Sequence, residues 1–483
     1  MKPPTRSLPA ALLALSLLAG CASTPPADPL PAPVRAELSK QGLPDSALAL
    51  LAFPLDAPQR RIEWQAERPV SPASTMKIVT GIVALDRLGP NWRGRSELLA
   101  AGALQDGVLD GPLVLRGGAH AAFDWGALAT LLREAREAGV QTVRGGLLID
   151  RTRFQPARED LDEPPFDDAA EFPYNTRPDA LNLNGNLLTL VLEGGRDAVS
   201  ARWSPAWPGI GVDASKLTLS AEPCAKWEEG WKPPTVRAHA AGVMVELAGS
   251  FPRGCKQRQA LNLIERDVLV AQAVRQLWSE LGGRLDGEVR AASAPPAAQL
   301  LATHWAPPLA EWLRGAMKRS DNPLTRLAYL QLGSLHPEAA RFASTRGAAD
   351  AQVRDWLREH GIADQALVLD NGSGLSRSER LSPALLAGML RVASAKPFAP
   401  ELMVGLPLAG VDGTLSRRMK GTPAEGQARL KTGTLRDAVG LAGYLKDGAG
   451  RPWVVVALIN HDQAPAKGRP VLDALMAHLA AIK

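Results

Sequence analysis

Cysteine, histidine, tyrosine and long apolar runs are all scarce in this chain of 483 residues. Its seven histidines (120, 239, 304, 336, 360, 461 and 478) are scattered, with no His-x-x-x-His and no Cys/His pairing, so neither a metal centre nor a cofactor is expected. No Gly-x-Ser-x-Gly elbow is present, which argues against a Ser-His-Asp hydrolase. No block of Lys and Arg interleaved with aromatics occurs, and a formal charge of +5 is small for the length, so nucleic acid is a poor candidate for the partner. Beyond the N-terminus, no apolar stretch approaches the roughly 20 residues of a membrane-spanning helix.

What the chain does have begins at its N-terminus. Lys2 and Arg6 precede an apolar run over residues 8–18, about right for a signal peptide over residues 1–20. The run ends in Leu18-Ala19-Gly20-Cys21, which predicts cleavage before Cys21 and lipidation of its sulfur. Export to the periplasm and anchoring of the protein to a membrane through that lipid follow as expectations. Ala22 rather than Asp after the cysteine favours the outer membrane. Residues 21–34 carry five prolines and few apolar side chains, as in an extended tether. In an oxidising compartment, Cys224 and Cys255 are expected to pair. The disulfide would close a loop of about 30 residues, worth ~3 kcal/mol in a chain-entropy account.

Two or three domains are expected from the length, and with hydrophobic residues at 46% they should bury a substantial core. A strand at 47–52, a second at 61–64 and a helix from Pro72 with apolar residues at three- and four-residue spacing open the first domain. Residues 97–296 read differently. Short β segments punctuated by Gly and Pro dominate, interrupted by helices over 125–138 and 266–281, and a nested unit is expected at about 185–262. Helices return over 309–319, 322–333 and 348–360. Strands over 429–435, 440–446 and 453–459 then precede an amphipathic helix over 471–482. The prediction is an α+β domain formed by 35–96 and 297–483, interrupted by a mostly β insertion at 97–296.

Three short motifs carry the chemistry. Ser74-Thr75-Met76-Lys77 is the chain's one Ser-x-x-Lys, Ser320-Asp321-Asn322 its one Ser-x-Asn, and Lys431-Thr432-Gly433 its one Lys-Thr-Gly, followed by Thr434. A serine hydroxyl is a poor nucleophile near neutrality and needs an adjacent base. On a helix, Ser74 and Lys77 share a face one turn apart, so Lys77 serves as that base if its amine is neutral. Burial and a second ammonium on Lys431 would both push Lys77 in that direction. Backbone N–H groups of Ser74 and Thr434 would form an oxyanion hole. Ser320 would relay a proton to the leaving amine, and Asn322 would hold Lys77 and a substrate amide. Lys431 and Thr432 would bind a carboxylate, and Gly433 would let substrate backbone lie close along the strand.

In the order and local setting of these motifs, the sequence resembles the D-alanyl-D-alanine carboxypeptidase/endopeptidase family of low-molecular-mass penicillin-binding proteins. Just over half of the chain separates Ser74 from Ser320, as in that family and unlike class A β-lactamases. Asp370-Asn371-Gly372-Ser373-Gly374-Leu375-Ser376-Arg377, the stretch 410–415 and the run Ala180 to Asn186 are similar to the family too. Where the family usually shows Gly-Asp-Pro in the insertion, this chain reads Gly117-Gly118-Ala119-His120. The resemblance implies a penicillin-binding-protein/β-lactamase-like catalytic domain, an antiparallel sheet flanked by helices. It also implies hydrolysis of D-Ala-D-Ala and of D-alanyl cross-links in peptidoglycan stem peptides through an ester on Ser74, with β-lactams as covalent inhibitors. Arg377 is a candidate for a carboxylate on the stem, and the acidic residues Glu159, Asp160, Asp162, Asp167 and Asp168 for an ammonium. The alternatives are a β-lactamase or esterase of the same fold, or a non-catalytic wall-binding lipoprotein. The first is disfavoured because no Glu-x-x-Leu-Asn follows Asn322, the second because all five polar groups of the motifs are intact.

Overall fold

The computed structural model describes Met1, residues 30–239 and residues 242–483, except for the side chain of Asp162. Cys21, the leader and most of the tether lie outside the described residues.

A five-stranded antiparallel sheet organises the catalytic half, in the spatial order Ala428–Leu435, Ala438–Lys446, Pro452–Asn460, Leu48–Pro54, Ile62–Trp64. Leu48–Pro54 is buried on both faces, and its period of two splits it between two cores. Leu48, Leu50 and Ala52 pack with Val34, Leu38, Leu472, Leu475 and Leu479 of the first and last helices. Ala49, Leu51 and Phe53 pack with Ile78, Val79, Ile82, Leu386 and Leu390 of the central helices. Those side chains, all but Phe53 aliphatic, explain why a chain poor in Tyr and Phe still forms a dense core: each Val, Leu, Ile or Phe contributes about 1.5–3 kcal/mol when fully buried.

Two expected boundaries move. The first helix runs Ala32–Gln41 with Leu30 and Val34 buried, so the folded body begins inside the segment read as tether. Arg35 marked its start in the sequence because prolines at 31 and 33 obscured a helix that in fact takes a proline in its first turn, where no N–H is needed. The insertion is wider than 97–296. Arg95–Ala100 and Gln299–Trp305 pair with each other, Arg95 opposite Trp305, inside the five-stranded sheet of the insertion, which is completed by Leu113–Gly118, Leu147–Asp150 and Val289–Ala291. Its incoming and outgoing strands are therefore hydrogen-bonded neighbours.

Within it, Leu188–Leu261 forms two three-stranded sheets, and a disulfide joins Cys224 to Cys255. The helices Trp125–Glu137 and Arg266–Glu280 pack on one shared apolar cluster with both sheets. The last helix starts earlier than expected, spanning Ala464–Ala480 with Pro470 inside it.

Candidate active site

Ser74 sits in a 3-10 turn, Ala73–Met76, that leads directly into the helix Lys77–Arg87. Ala73 just before it has φ +46°, a conformation that costs a non-glycine residue energy and survives only where surroundings enforce it. Two glycines do the enforcing. A Cβ on Gly374 (φ +80°) would lie 1.9 Å from the Ala73 carbonyl oxygen. A Cβ on Gly433 would lie 2.8 Å from Pro72 O and 3.1 Å from Ser74 N. This corrects the reason given for Gly433: the backbone lying close to it is the protein's own nucleophile turn. It also sets the strand Ala428–Leu435 beside Ser74, with exposed Thr434 next in line.

Lys77 is completely buried. Its Nζ lies 3.1 Å from Ser74 Oγ, 2.6 Å from Asn322 Oδ1 and 2.5 Å from the Ser373 carbonyl. The Asn322 amide is oriented by its other end, since Nδ2 donates to the Tyr174 carbonyl at 3.1 Å. Two of the three contacts are thus to oxygens that only accept. The third is to a hydroxyl that also donates. A neutral amine satisfies this set with two N–H bonds and a lone pair facing the Ser74 hydroxyl, the geometry a general base requires. Burial pulls the Lys77 ammonium down to about 7, with Glu379 opposing that fall, Arg326 adding to it and Asp321 opposing it. Arg326 is thus a further cation acting on Lys77, beside Lys431, whose repulsion with Lys77 is mutual.

Lys431, also fully buried, donates to Ser320 Oγ at 2.9 Å and to its neighbour's carbonyl, Thr432 O, at 2.8 Å. Burial first, and Lys77 second, push it well below the ordinary lysine range. Ser320 ends the helix Leu309–Arg319 in the left-handed region (φ 60°), and Asp321 caps the next helix, Asn322–Ser334, by accepting from Leu324 N at 2.9 Å. That cap-to-cap turn is what aims Ser320 and Asn322 at two different lysines. Thr432 Oγ1 lies 2.8 Å from Thr414 Oγ1 at the mouth.

Two functional positions were missed. Glu379 is buried, and its carboxylate accepts from the backbone N–H groups of Asp370, Asn371, Gly372 and Gly374 at 2.8–3.3 Å. It holds in place the loop whose Ser373 carbonyl receives Lys77. Burial raises the Glu379 carboxyl above its usual range against the pull of those bonds. Arg326 is 8% exposed and donates to the Leu375 carbonyl at 3.4 Å. The only signal in the sequence was a pair of charges in or beside apolar and Gly-rich stretches.

Other expected residues lie farther out. Arg377 donates to the Phe166 carbonyl at 3.2 Å, with its guanidinium 5.3 Å from that ring's centroid. With Ser71, Asp167 and Leu435 it borders a cavity of about 950 Å³ at the far end of the edge strand. Of the acidic run, only Asp167 lines that cavity. Asp160 is paired with Arg158 and Arg266, and Glu159 lies close to Arg346. Those pairs account for Glu159 and Asp160 as structural. The departure at Ala119-His120 places a buried imidazole with Nε2 2.9 Å from His304 Nδ1, tying the loop to the outgoing strand.

A sequence model of the D-Ala-D-Ala carboxypeptidase 3 (S13) family matches residues 30–481. Among curated relatives, D-alanyl-D-alanine carboxypeptidase DacB of Haemophilus influenzae is 26% identical over 446 residues, 87% of each chain. D-alanyl-D-alanine carboxypeptidase of Actinomadura sp. (strain R39) is 28% identical over 422 residues, covering 85% of this chain and 76% of its own. Among solved structures, penicillin binding protein 4 (dacB) of Haemophilus influenzae superposes with a TM-score of 0.77 at 23% identity, over 93% of this chain and 99% of that one. At that identity the likeness is one of fold.

Proposed function

The chain belongs to the D-Ala-D-Ala carboxypeptidase 3 (S13) family of peptidases, and on that premise we propose that it is a penicillin-binding serine DD-peptidase acting on peptidoglycan stem peptides through Ser74. The observation that carries this is the amine of Lys77 at 3.1 Å from the Ser74 oxygen, its other two bonds going to oxygens that have no proton to give.

Ser74 Oγ attacks the carbonyl of the penultimate D-Ala while its proton passes to Lys77. The N–H groups of Ser74 and Thr434 hold the oxygen that becomes negative. As the tetrahedral adduct collapses, a proton travels from Lys431 through the Ser320 hydroxyl to the departing nitrogen, and the C–N bond breaks. Water then attacks the ester carbonyl, its proton passing through the Ser320 hydroxyl to Lys431 while Lys77 returns its proton to the departing Ser74 oxygen, so that both lysines are restored. When the departing nitrogen belongs to D-Ala, the result is carboxypeptidase action. When it belongs to the second stem of a cross-link, the result is endopeptidase action. Thr432 and Lys431 bind the carboxylate next to the departing nitrogen. A penicillin acylates the same oxygen, and the lack of a Glu-x-x-Leu-Asn string after Asn322, the source of a deacylating carboxylate in class A β-lactamases, favours slow loss of that ester.

The lipid on Cys21 and a periplasmic, outer-membrane-anchored location belong to the same proposal. They rest on the sequence of residues 1–22. Incubation with a fluorescent penicillin followed by peptide mapping tests the enzymatic reading: the label is expected on Ser74, and a label elsewhere, or none, refutes it. Metabolic labelling with a fatty-acid analogue, lost in Cys21→Ala, tests the anchor.

A further inference from the structure

The edge strand Ala428–Leu435 gives the cleft a direction. Lys431 and Thr432 lie toward Ser320, and Leu435 lies toward Ser71 and the 950 Å³ cavity. In the reading above, the carboxylate beside the departing nitrogen goes to Lys431 and Thr432. The acyl half of the substrate then extends toward Leu435, and everything beyond the scissile bond extends toward Ser320.

On the Ser320 side there is a second cavity, of about 500 Å³. One wall is the turn Arg319 to Leu324 of the catalytic half. The other comes from the insertion, through residues at 121–124, 173–176 and 182–187. Ser320 and Asn322 line it while Ser74 and Lys431 do not, so the chamber opens off the reacting groups on the leaving-amine side. Its volume falls in the range of sites that enclose small ligands.

Its insertion wall contains an anomaly. Thr176 is fully buried and Asn182 is 6% exposed, yet Thr176 Oγ1 and Asn182 Oδ1 have no hydrogen-bond partner. A buried polar atom left unpaired costs about 1–3 kcal/mol, and nothing in the resting protein offsets two of them in one wall. Both atoms accept hydrogen bonds, so they suit the N–H groups of a peptide. Phe123, Leu187 and Leu324 supply apolar surface around them.

We propose that this chamber is the subsite for the peptide attached to the leaving amine, the second stem of a cross-link. The insertion thereby sets how well cross-links are cut relative to terminal D-Ala. A departing D-Ala ends at its own carboxylate and never enters the chamber. A departing stem peptide carries further amides into it. The inference rests on the DD-peptidase reading and deepens it by assigning the leaving side.

The test compares two substrates, a pentapeptide muropeptide and a cross-linked muropeptide dimer, with full-length protein. Ala122→Trp, at an exposed position on the chamber's rim, fills it. The ratio of kcat/KM for the dimer to that for the pentapeptide is expected to fall about tenfold or more. Thr176→Val keeps the shape and removes one acceptor, and is expected to lower the same ratio about threefold to tenfold. An unchanged ratio in both variants overturns the proposal, as does wild-type protein that releases D-Ala but leaves the dimer intact. Failure of the underlying reading looks different: no penicillin label on Ser74 and neither substrate cut.

Discussion

Two clusters of buried cations lie on either side of the boundary between the insertion and the catalytic half, and they are built in opposite ways. In the insertion, Arg151 and Arg266 grip Asp179 at 2.9 and 2.8 Å, all three side chains being no more than 5% exposed. Burial pushes the Asp179 carboxyl up, but the two guanidinium groups outweigh it and hold it below the usual range. In the cleft, Lys77 and Lys431 are equally buried, yet every hydrogen bond they make among the described residues goes to a hydroxyl or a carbonyl-type oxygen. Without a carboxylate in contact, burial wins, and both ammonium groups give up protons easily. The lesson is that burial alone does not decide whether a charge is structural or reactive; the identity of its nearest acceptor does.

The sharpest way to break this contrast is to remove one charge from each cluster. Ser74→Ala and Lys77→Met are expected to lower the rate of penicillin acylation by about 10⁴-fold or more in stopped-flow assays. Lys77→Met should leave the melting temperature unchanged or raise it, because an apolar chain of similar length replaces a costly buried amine. A variant that unfolded would show that Lys77 is structural after all. Asp179→Ala is the mirror image. It takes the shared buried carboxylate from both guanidinium groups, leaving Arg151 with Asp267 and Arg266 with Asp160, and should cost about 3–5 kcal/mol of stability in denaturant titrations, with penicillin labelling of the folded fraction retained. Next in size, joint replacement of Cys224 and Cys255 by Ala should cost about 2–4 kcal/mol, read as earlier unfolding of the nested unit with acylation unaffected.

The smallest effect sharpens the contrast most. Lys77 must be neutral to act, so acylation should rise with pH and reach half its maximum near the about 7 at which its ammonium titrates. Glu379 opposes the fall in Lys77. Glu379→Gln removes that negative charge, so the half-point should move to lower pH. A merely structural Glu379 would lower the plateau and leave the half-point in place.

How much of this was legible in the sequence differs by kind of residue. The three motifs were readable because each is a local string with a chemical reason for its spacing, and the central strands because Leu48–Pro54 and its partners are continuous apolar runs. Glu379 was not, because it works through four backbone N–H groups and a carbonyl, none of which leaves a mark in side-chain identity. Arg326 was not, because a cation in mid-helix reads as solvated until the fold is known. The edges of the insertion were misplaced since Arg95–Ala100 and Gln299–Trp305 look like any short strands, and only their mutual pairing assigns them to it. The role of Gly433 was misassigned because a glycine announces a close approach without saying what approaches.

The pairing of Leu48–Pro54 with Pro452–Asn460 has a temporal side. Synthesis delivers one strand near the beginning and its neighbour near the end, and Lys77 meets Asn322 only after 245 further residues have been made. Until the last sheet strands arrive, the Lys77 amine stays in water, protonated, and the serine beside it is inert. A chain still short of Asn322 and Ser373 therefore carries no working nucleophile.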